Sequence, residues 1–157
     1  MLKLTKKADY GLIALTHLAI KGSAASAKEI AESYHIPLPL LSKVLQTLGR
    51  SGYLKAEHGS NGGYRLTKPA KQISALEVIR QIDGPVILTA CFTDEGTCDQ
   101  SDHCNVKRPL QRIHEAILQL LENITIDDMA RDEKADRVSP VSGQLFNPSA
   151  ILPALPN

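Results

Sequence analysis

The sequence predicts a mainly α fold, a winged helix-turn-helix with a small β-hairpin wing and a long C-terminal dimerisation helix. Three observations predict it. Two short amphipathic helices meet at a turn around His35-Ile36-Pro37; two short alternating strands flank the glycine-rich run from His58 to Gly63; and apolar residues recur at heptad spacing from Leu110 to Ile124.

In the first helix Thr5 suits the N-cap, Lys6, Lys7 and Asp9 fill the opening turn, and Leu12, Leu15, Leu18 and Ala19 supply an apolar stripe. The second opens on Ser26 and Glu29 at capping-box spacing, with Ile30, Ala31 and Tyr34 as core candidates. The third, from Pro37 to Arg50, sets Leu41, Val44, Leu45 and Leu48 at the i, i+3, i+4, i+7 spacing of a buried face. Its outward residues Ser42, Lys43, Gln46, Thr47 and Arg50 are polar and positive, as a helix entering the major groove of double-stranded DNA requires. An ordinary three-helix core with a solvated face would share this pattern.

Residues 53–57 and 64–67 read as the strands of a wing. Asn61-Gly62 suits a tight turn, Gly62 and Gly63 let backbone approach a phosphate, and His58 and Tyr64 flank them; a plain hairpin is the alternative. Ser74 and Glu77 then cap a helix through Ile82 that offers Leu76, Val78 and Ile79 for packing. Further on, Leu110, Ile113, Ile117, Leu120 and Ile124, widened by Leu118 and Leu121, form a seam suited to a second copy of the chain or to an intramolecular core. The expected organisation is a DNA-binding unit over 1–82, a cysteine loop over 83–108, the dimerisation helix with a short following helix over 109–131, and a proline-punctuated flexible tail over 132–157.

The 157 residues are 43% apolar with formal net charge +1, and no apolar run is long enough for a membrane span, so a cytoplasmic protein is expected. Asp9, Thr16 and His17 interrupt the opening apolar stretch and argue against a secretory signal. The small net charge hides an asymmetry. Residues 1–81 carry 12 Lys and Arg against 5 Asp and Glu, whereas residues 82–157 carry 6 against 12. The basic front is the electrostatic footprint expected of a phosphate-binding surface.

The three cysteines of the chain, Cys91, Cys98 and Cys104, lie together in CFTDEGTCDQSDHC. An odd number of thiols leaves one over after disulfide pairing, so metal ligation fits better than stapling. Asp94, Glu95, Asp99 and Asp102 would oppose thiolate formation among them, and a cationic centre reverses that penalty.

Taken in order, LTKKADYGL, LLSKVLQTLGRSGYL, HGSNGGYRL, ISALEVIRQIDG, the cysteine triplet and LLENITI resemble the IscR/NsrR family of winged-helix bacterial regulators, over residues 1 to about 130. Within it the chain is most similar to the branch that controls iron-sulfur cluster assembly through the SUF system. The resemblance implies a homodimer that binds promoter DNA, with an iron-sulfur cluster on Cys91, Cys98 and Cys104 of each subunit, 2Fe-2S ahead of 4Fe-4S. It implies a transcription regulator, a repressor as the commoner case. The assembly regulator's histidine ligand, three residues past the last cysteine, is here Lys107. An aspartate near the start of the first helix completes the set in nitric-oxide-sensing relatives, and Asp9 matches it. Asp9 is therefore the first candidate for fourth ligand, His103 the second and His114 the third. Base-reading positions of the assembly regulator appear as Pro39, Leu40, Ser42 and Lys43, and its wing arginine as His58, so base preference should differ.

Alternatives stand beside this reading. Zinc could sit on the three cysteines and His103, or the thiols could act by redox chemistry. A cluster-free DNA-binding adaptor is a third possibility. From another class, a small iron-sulfur electron carrier would leave the basic winged unit unexplained. No acid-base or nucleophile constellation accompanies the thiols, and no enzymatic activity is expected.

Overall fold

Helix α1 (Lys6–Lys21) starts where the Thr5 side chain accepts the Ala8 N–H and ends at Gly22, whose φ of 67° is the left-handed conformation a helix C-terminus favours. The computed structural model describes residues 3–59, 62–93, 98–100 and 103–138. The buried face of α1 is Ala8, Gly11, Ala14, Leu15, Thr16 and Leu18. Leu15 and Leu18 are thus central to the expected stripe, while Leu12 and Ala19 flank it half-buried. Small residues at positions 8, 11 and 14 allow the helix that carries Ile82 to cross closely: a Cβ on Gly11 would lie 2.3 Å from the Ile82 Cδ1 atom.

Helix α2 (Ala27–Tyr34) is capped by Ser26, which accepts the Glu29 N–H. The reciprocal half of the expected capping box does not form. The Glu29 carboxylate instead takes a hydrogen bond from Lys21 Nζ at 2.5 Å, a charge-assisted partner that outcompetes a neutral amide. That bond holds the Glu29 carboxyl below its usual pKa. His35 then ends α2 in the left-handed conformation. Helix α3 (Leu38–Arg50) buries Leu41, Val44, Leu45 and Leu48 as its spacing predicts.

Strands β1 (Leu54–Glu57) and β2 (Gly63–Leu66) pair antiparallel, with Leu54 opposite Leu66 and Glu57 opposite Gly63. The predicted Asn61 turn position lies outside the described residues. Tyr64 exchanges both backbone hydrogen bonds with Ala25, at 2.8 and 3.1 Å, which stitches the wing to the start of α2.

A complete capping box, Ser74 with Glu77, opens helix α4 (Ala75–Asp83). Ser74→Ala should lower the free energy of unfolding by about 1 to 2 kcal/mol in urea titrations, since it strips an N–H of its partner at a buried position. Helix α5 (Lys107–Asn123) follows the cysteine segment, and none of its side chains is fully buried within the chain.

Helix α6 (Ile126–Val138) departs from expectation. It continues through residues 132–138, which the sequence reading placed in a tail, and residues 139–157 lie outside the description. Ile126 is fully buried in the same core as α1 and α3, and Ala130 is 5% exposed. The backbone joins in as well: Ala75 N–H donates to Ile124 C=O at 2.8 Å and Ile126 N–H to Ile73 C=O at 2.9 Å. The boundary expected at residue 82 therefore does not enclose the core, because chain from beyond the cysteines completes it. Thr125 and Asp128 cap α6, and the hydrogen bonds from Thr125 hold the Asp128 carboxyl below its usual pKa. A depressed carboxylate pKa stabilises the fold above the unfolded-state pKa, and that contribution is lost as pH falls through the depressed value. Among the described residues no helix is long and apolar enough to cross a membrane.

Candidate nucleic-acid interface and cysteine segment

Burying the leucine face of α3 turns Lys43, Gln46 and Arg50 outward, and all three are exposed. Their separations of three and four residues place them on one stripe. Ser42 and Thr47 border that stripe half-buried, and Thr47 Oγ1 donates to the Lys43 carbonyl at 3.0 Å, leaving its lone pairs outward. Pro39 is exposed near the start of α3, Leu38 is 41% exposed, and Leu40 is half-buried. A surface of this kind combines exposed hydrogen-bond donors with an apolar edge, the chemistry that base edges and a thymine methyl would take.

In the wing, His58 is exposed just past β1. Tyr64 is half-buried against the core. The two glycines serve the fold itself: a Cβ on Gly63 would lie 2.3 Å from the Ala25 carbonyl oxygen, and one on Gly62 2.5 Å from that of Glu57. Two cations were missed by the sequence reading. Lys55 and Arg65 sit directly opposite each other in the hairpin register, both exposed, and both reach Glu57, at 3.9 and 3.2 Å. Strand alternation carried the signal, since it puts positions 55, 57 and 65 on one face.

The cysteine segment leaves α4 at Gly84. Just before it, the Asp83 carboxylate accepts the Thr5 N–H at 3.1 Å and the Thr5 hydroxyl at 2.5 Å, pinning the start of α1 beside the exit. Asp9 is exposed in the first turn of α1. Cys91 lies in a single 3-10 turn, Ala90–Phe92, with its Sγ 3.1 Å from Thr89 Oγ1. The Phe92 ring stacks on His114 of α5, centroids 5.1 Å apart at 26°. Cys91, Cys98 and Cys104 are all half-buried free thiols. His103 is exposed, its N–H donating to the Gln100 carbonyl at 3.1 Å. Asp94, Glu95 and Asp102 lie outside the described residues.

Among the described residues, no three His, Cys, Asp or Glu side chains converge as a metal-holding group. Cys91, Cys98 and Cys104 are strung along one segment, with His103 the chain neighbour of Cys104 and Asp9 on α1. The donor chemistry nevertheless suits a thiolate-ligated centre, because three unpaired, partly shielded sulfurs are the soft ligands that iron-sulfur clusters and zinc take.

The α5 seam is open. Ile113 is 50% and Leu120 36% exposed, while Leu110, Ile117, Leu118 and Leu121 are half-buried. Ile117, Leu120 and Leu121 line an apolar cavity of about 520 Å³, walled on its other sides by Leu4, Val86 and Ile87.

The HTH-type transcriptional regulator NsrR of Shouchella clausii is 36% identical over 135 residues, covering 84% of this chain and 91% of that protein. Its namesake in Bacillus licheniformis is 37% identical over 135 residues, covering 84% and 94%. Among solved structures, CymR (YrzC), the global cysteine regulator of B. subtilis, superposes with a TM-score of 0.73 at 30% identity, covering 84% of this chain and 98% of CymR. T. potens IscR superposes with a TM-score of 0.67 at 26% identity, covering 90% and 94%. Six helices with one two-stranded hairpin among the described residues make the winged-helix architecture of these regulators. Residues 4–132 match the family model Rrf2, iron-dependent transcriptional regulator, and the chain belongs to the Rrf2 family.

Proposed function

We propose that this protein is a cytoplasmic homodimeric repressor that senses iron-sulfur cluster status and controls iron-sulfur cluster assembly genes of the SUF type. The observation that carries the reading is the position of the free thiols: Cys91, Cys98 and Cys104 occupy the segment that joins α4 to α5, between the winged module and the helix whose apolar face stays open. In this reading Ile113, Ile117 and Leu120 pair with the same residues of a second copy, giving the two-fold arrangement that sets the spacing of two α3 helices on a palindromic site. Lys43, Gln46 and Arg50, with Ser42, Thr47 and His58 beside them, face the DNA. Cys91, Cys98 and Cys104 hold the cluster, 2Fe-2S ahead of 4Fe-4S, with Asp9 of the partner subunit as first candidate for the fourth position.

A cluster supplies a centre whose oxidation state and ligands respond to iron, oxygen or nitric oxide. The protein's contribution is mechanical. Cys91 is tied to α5 through the Phe92–His114 stack and Cys104 lies just before α5, so drawing the three thiols together changes how α5 sits against α4. Regulation follows only from a difference in free energy between DNA-competent and incompetent dimers.

Anaerobic purification, with visible absorption, iron and sulfide analysis and promoter binding on the same sample, tests this. The wild type should be brown, with iron and sulfide, and its affinity for a SUF-type promoter should change when the cluster is removed. A triple Cys91→Ser, Cys98→Ser, Cys104→Ser variant should be colourless and bind DNA with one affinity throughout. A wild type unable to hold iron and sulfide refutes the proposal. The three free thiols also support a second reading, a thiol-redox regulator; it predicts a colourless protein whose DNA affinity responds to oxidant and not to iron.

A further inference from the structure

We propose that the cleft between the start of α2 and the wing is a DNA-phosphate site in which Arg65 and Lys21 exchange their carboxylate partners, Glu57 and Glu29, for backbone phosphates. The inference rests on the DNA-binding reading above and adds to it two cations outside the α3 stripe.

The cleft encloses about 530 Å³ and is lined by Lys21, Ser26, Glu29, Glu57 and Arg65, with Gly62 at its rim. Its walls are held rigidly, since the paired Ala25–Tyr64 hydrogen bonds at 2.8 and 3.1 Å lock β2 to the residue just before Ser26. Each cation already has an anion: Arg65 Nε lies 3.2 Å from Glu57 Oε1, and Lys21 Nζ 2.5 Å from Glu29 Oε1. These pairs are partly solvated, with Arg65 46% and Glu57 33% exposed, so each contributes little to folding and is readily exchanged.

A second observation points outward. Lys55 is the direct cross-strand neighbour of Arg65, and like charges at that position oppose hairpin formation. Glu57 bridges both and offsets part of the repulsion. Two cations kept opposite each other, against the preference of the hairpin, form a site for a polyanion. The cleft is built on the start of α2, through Ser26 and Glu29, and α2 is the first helix of the helix-turn-helix, the one that crosses the phosphate backbone in such motifs. Phosphates entering the cleft release condensed counterions for each cation engaged, and the carboxylates hold Arg65 and Lys21 at the cleft until then.

The test is salt-dependent binding of the full-length protein to its promoter duplex and to an unrelated duplex. Arg65→Gln should weaken both by roughly tenfold and make the slope of log affinity against log salt shallower by about one. Arg65→Lys should restore most of the slope. Glu57→Gln should tighten both duplexes by roughly two- to fivefold, a rise that the loss of a merely structural brace would not produce. An unchanged slope in Arg65→Gln, with a salt-dependent wild type, overturns the cleft and leaves the DNA-binding reading standing; so does Glu57→Gln binding no tighter than wild type. A wild type that binds neither duplex overturns both.

Discussion

A fragment ending at residue 82 should show no cooperative thermal or urea transition, although it contains α1 to α3, all of α4 but Asp83, and the whole wing. It lacks Ile126 and Ala130, which are buried, and Met129, which packs half-buried on the same core. It also strands two backbone partners, the Ala75 N–H and the Ile73 carbonyl, which bond Ile124 and Ile126 in the full chain. Each unsatisfied group costs about 1 to 3 kcal/mol, and loss of the Ile126 side chain alone removes about 2 to 5 kcal/mol of core packing. A domain of this size is stable by only about 5 to 15 kcal/mol, so the sum is decisive. The single substitution Ile126→Ala gives the quantitative check: about 3 kcal/mol lost in urea unfolding, with an unchanged dependence on denaturant. A fragment 1–82 that melts cooperatively near the full-length midpoint would show that α6 is an accessory.

Gly63→Ala should destabilise the protein by about 2 to 4 kcal/mol and abolish high-affinity promoter binding. The added methyl would meet the Ala25 carbonyl oxygen at 2.3 Å, its carbonyl carbon at 2.4 Å and the Ser26 nitrogen at 2.7 Å. All three are backbone atoms beside the start of α2, and none can rotate away. Relief requires the wing to part from α2, which breaks the Ala25–Tyr64 pair. Gly11→Ala is the informative contrast. Its methyl also meets a neighbour at 2.3 Å, but that neighbour is the Cδ1 tip of Ile82, which can change rotamer. Denaturation midpoints and promoter titrations of the two variants should therefore separate widely, with Gly11→Ala much the milder.

Capping shows how far local sequence reaches. Ser26-x-x-Glu29 and Ser74-x-x-Glu77 have the same spacing, yet only the second closes both ways. At the first, Lys21 comes within 2.5 Å of Glu29 and takes the carboxylate, a competitor eight residues away that spacing cannot reveal. The length of helix α6 and its place in the core were hidden for a related reason. Thr125-x-x-Asp128 is a readable start signal, but the following residues are mostly charged, and the buried contribution comes from Ile126 and Ala130 with Met129 beside them. Too few apolar positions repeat to outweigh the acidic composition.

The candidate site was legible in its residue types and less so in its arrangement. The outward stripe of α3 follows once Leu41, Val44, Leu45 and Leu48 are assigned inward, because helical period then dictates the opposite face. The roles of Gly62, Gly63 and Tyr64 in joining the wing to α2 and closing its turn, and the opposition of Lys55 to Arg65, needed the register. The thiols were equally plain as donors, while the stacking of Phe92 on His114, which ties the first of them to α5, needed the fold.

By itself the sequence determined the helix and strand periods, the caps, the apolar seam of α5 and the donor set of three sulfurs, since each depends on residues a turn or two apart. Only the tertiary structure decided that α6 closes the core of the winged module, that Glu29 serves Lys21, and that the wing is locked to α2 through a glycine. Those outcomes depend on which distant backbone and charge come within bonding distance, and such competition is settled by packing in three dimensions.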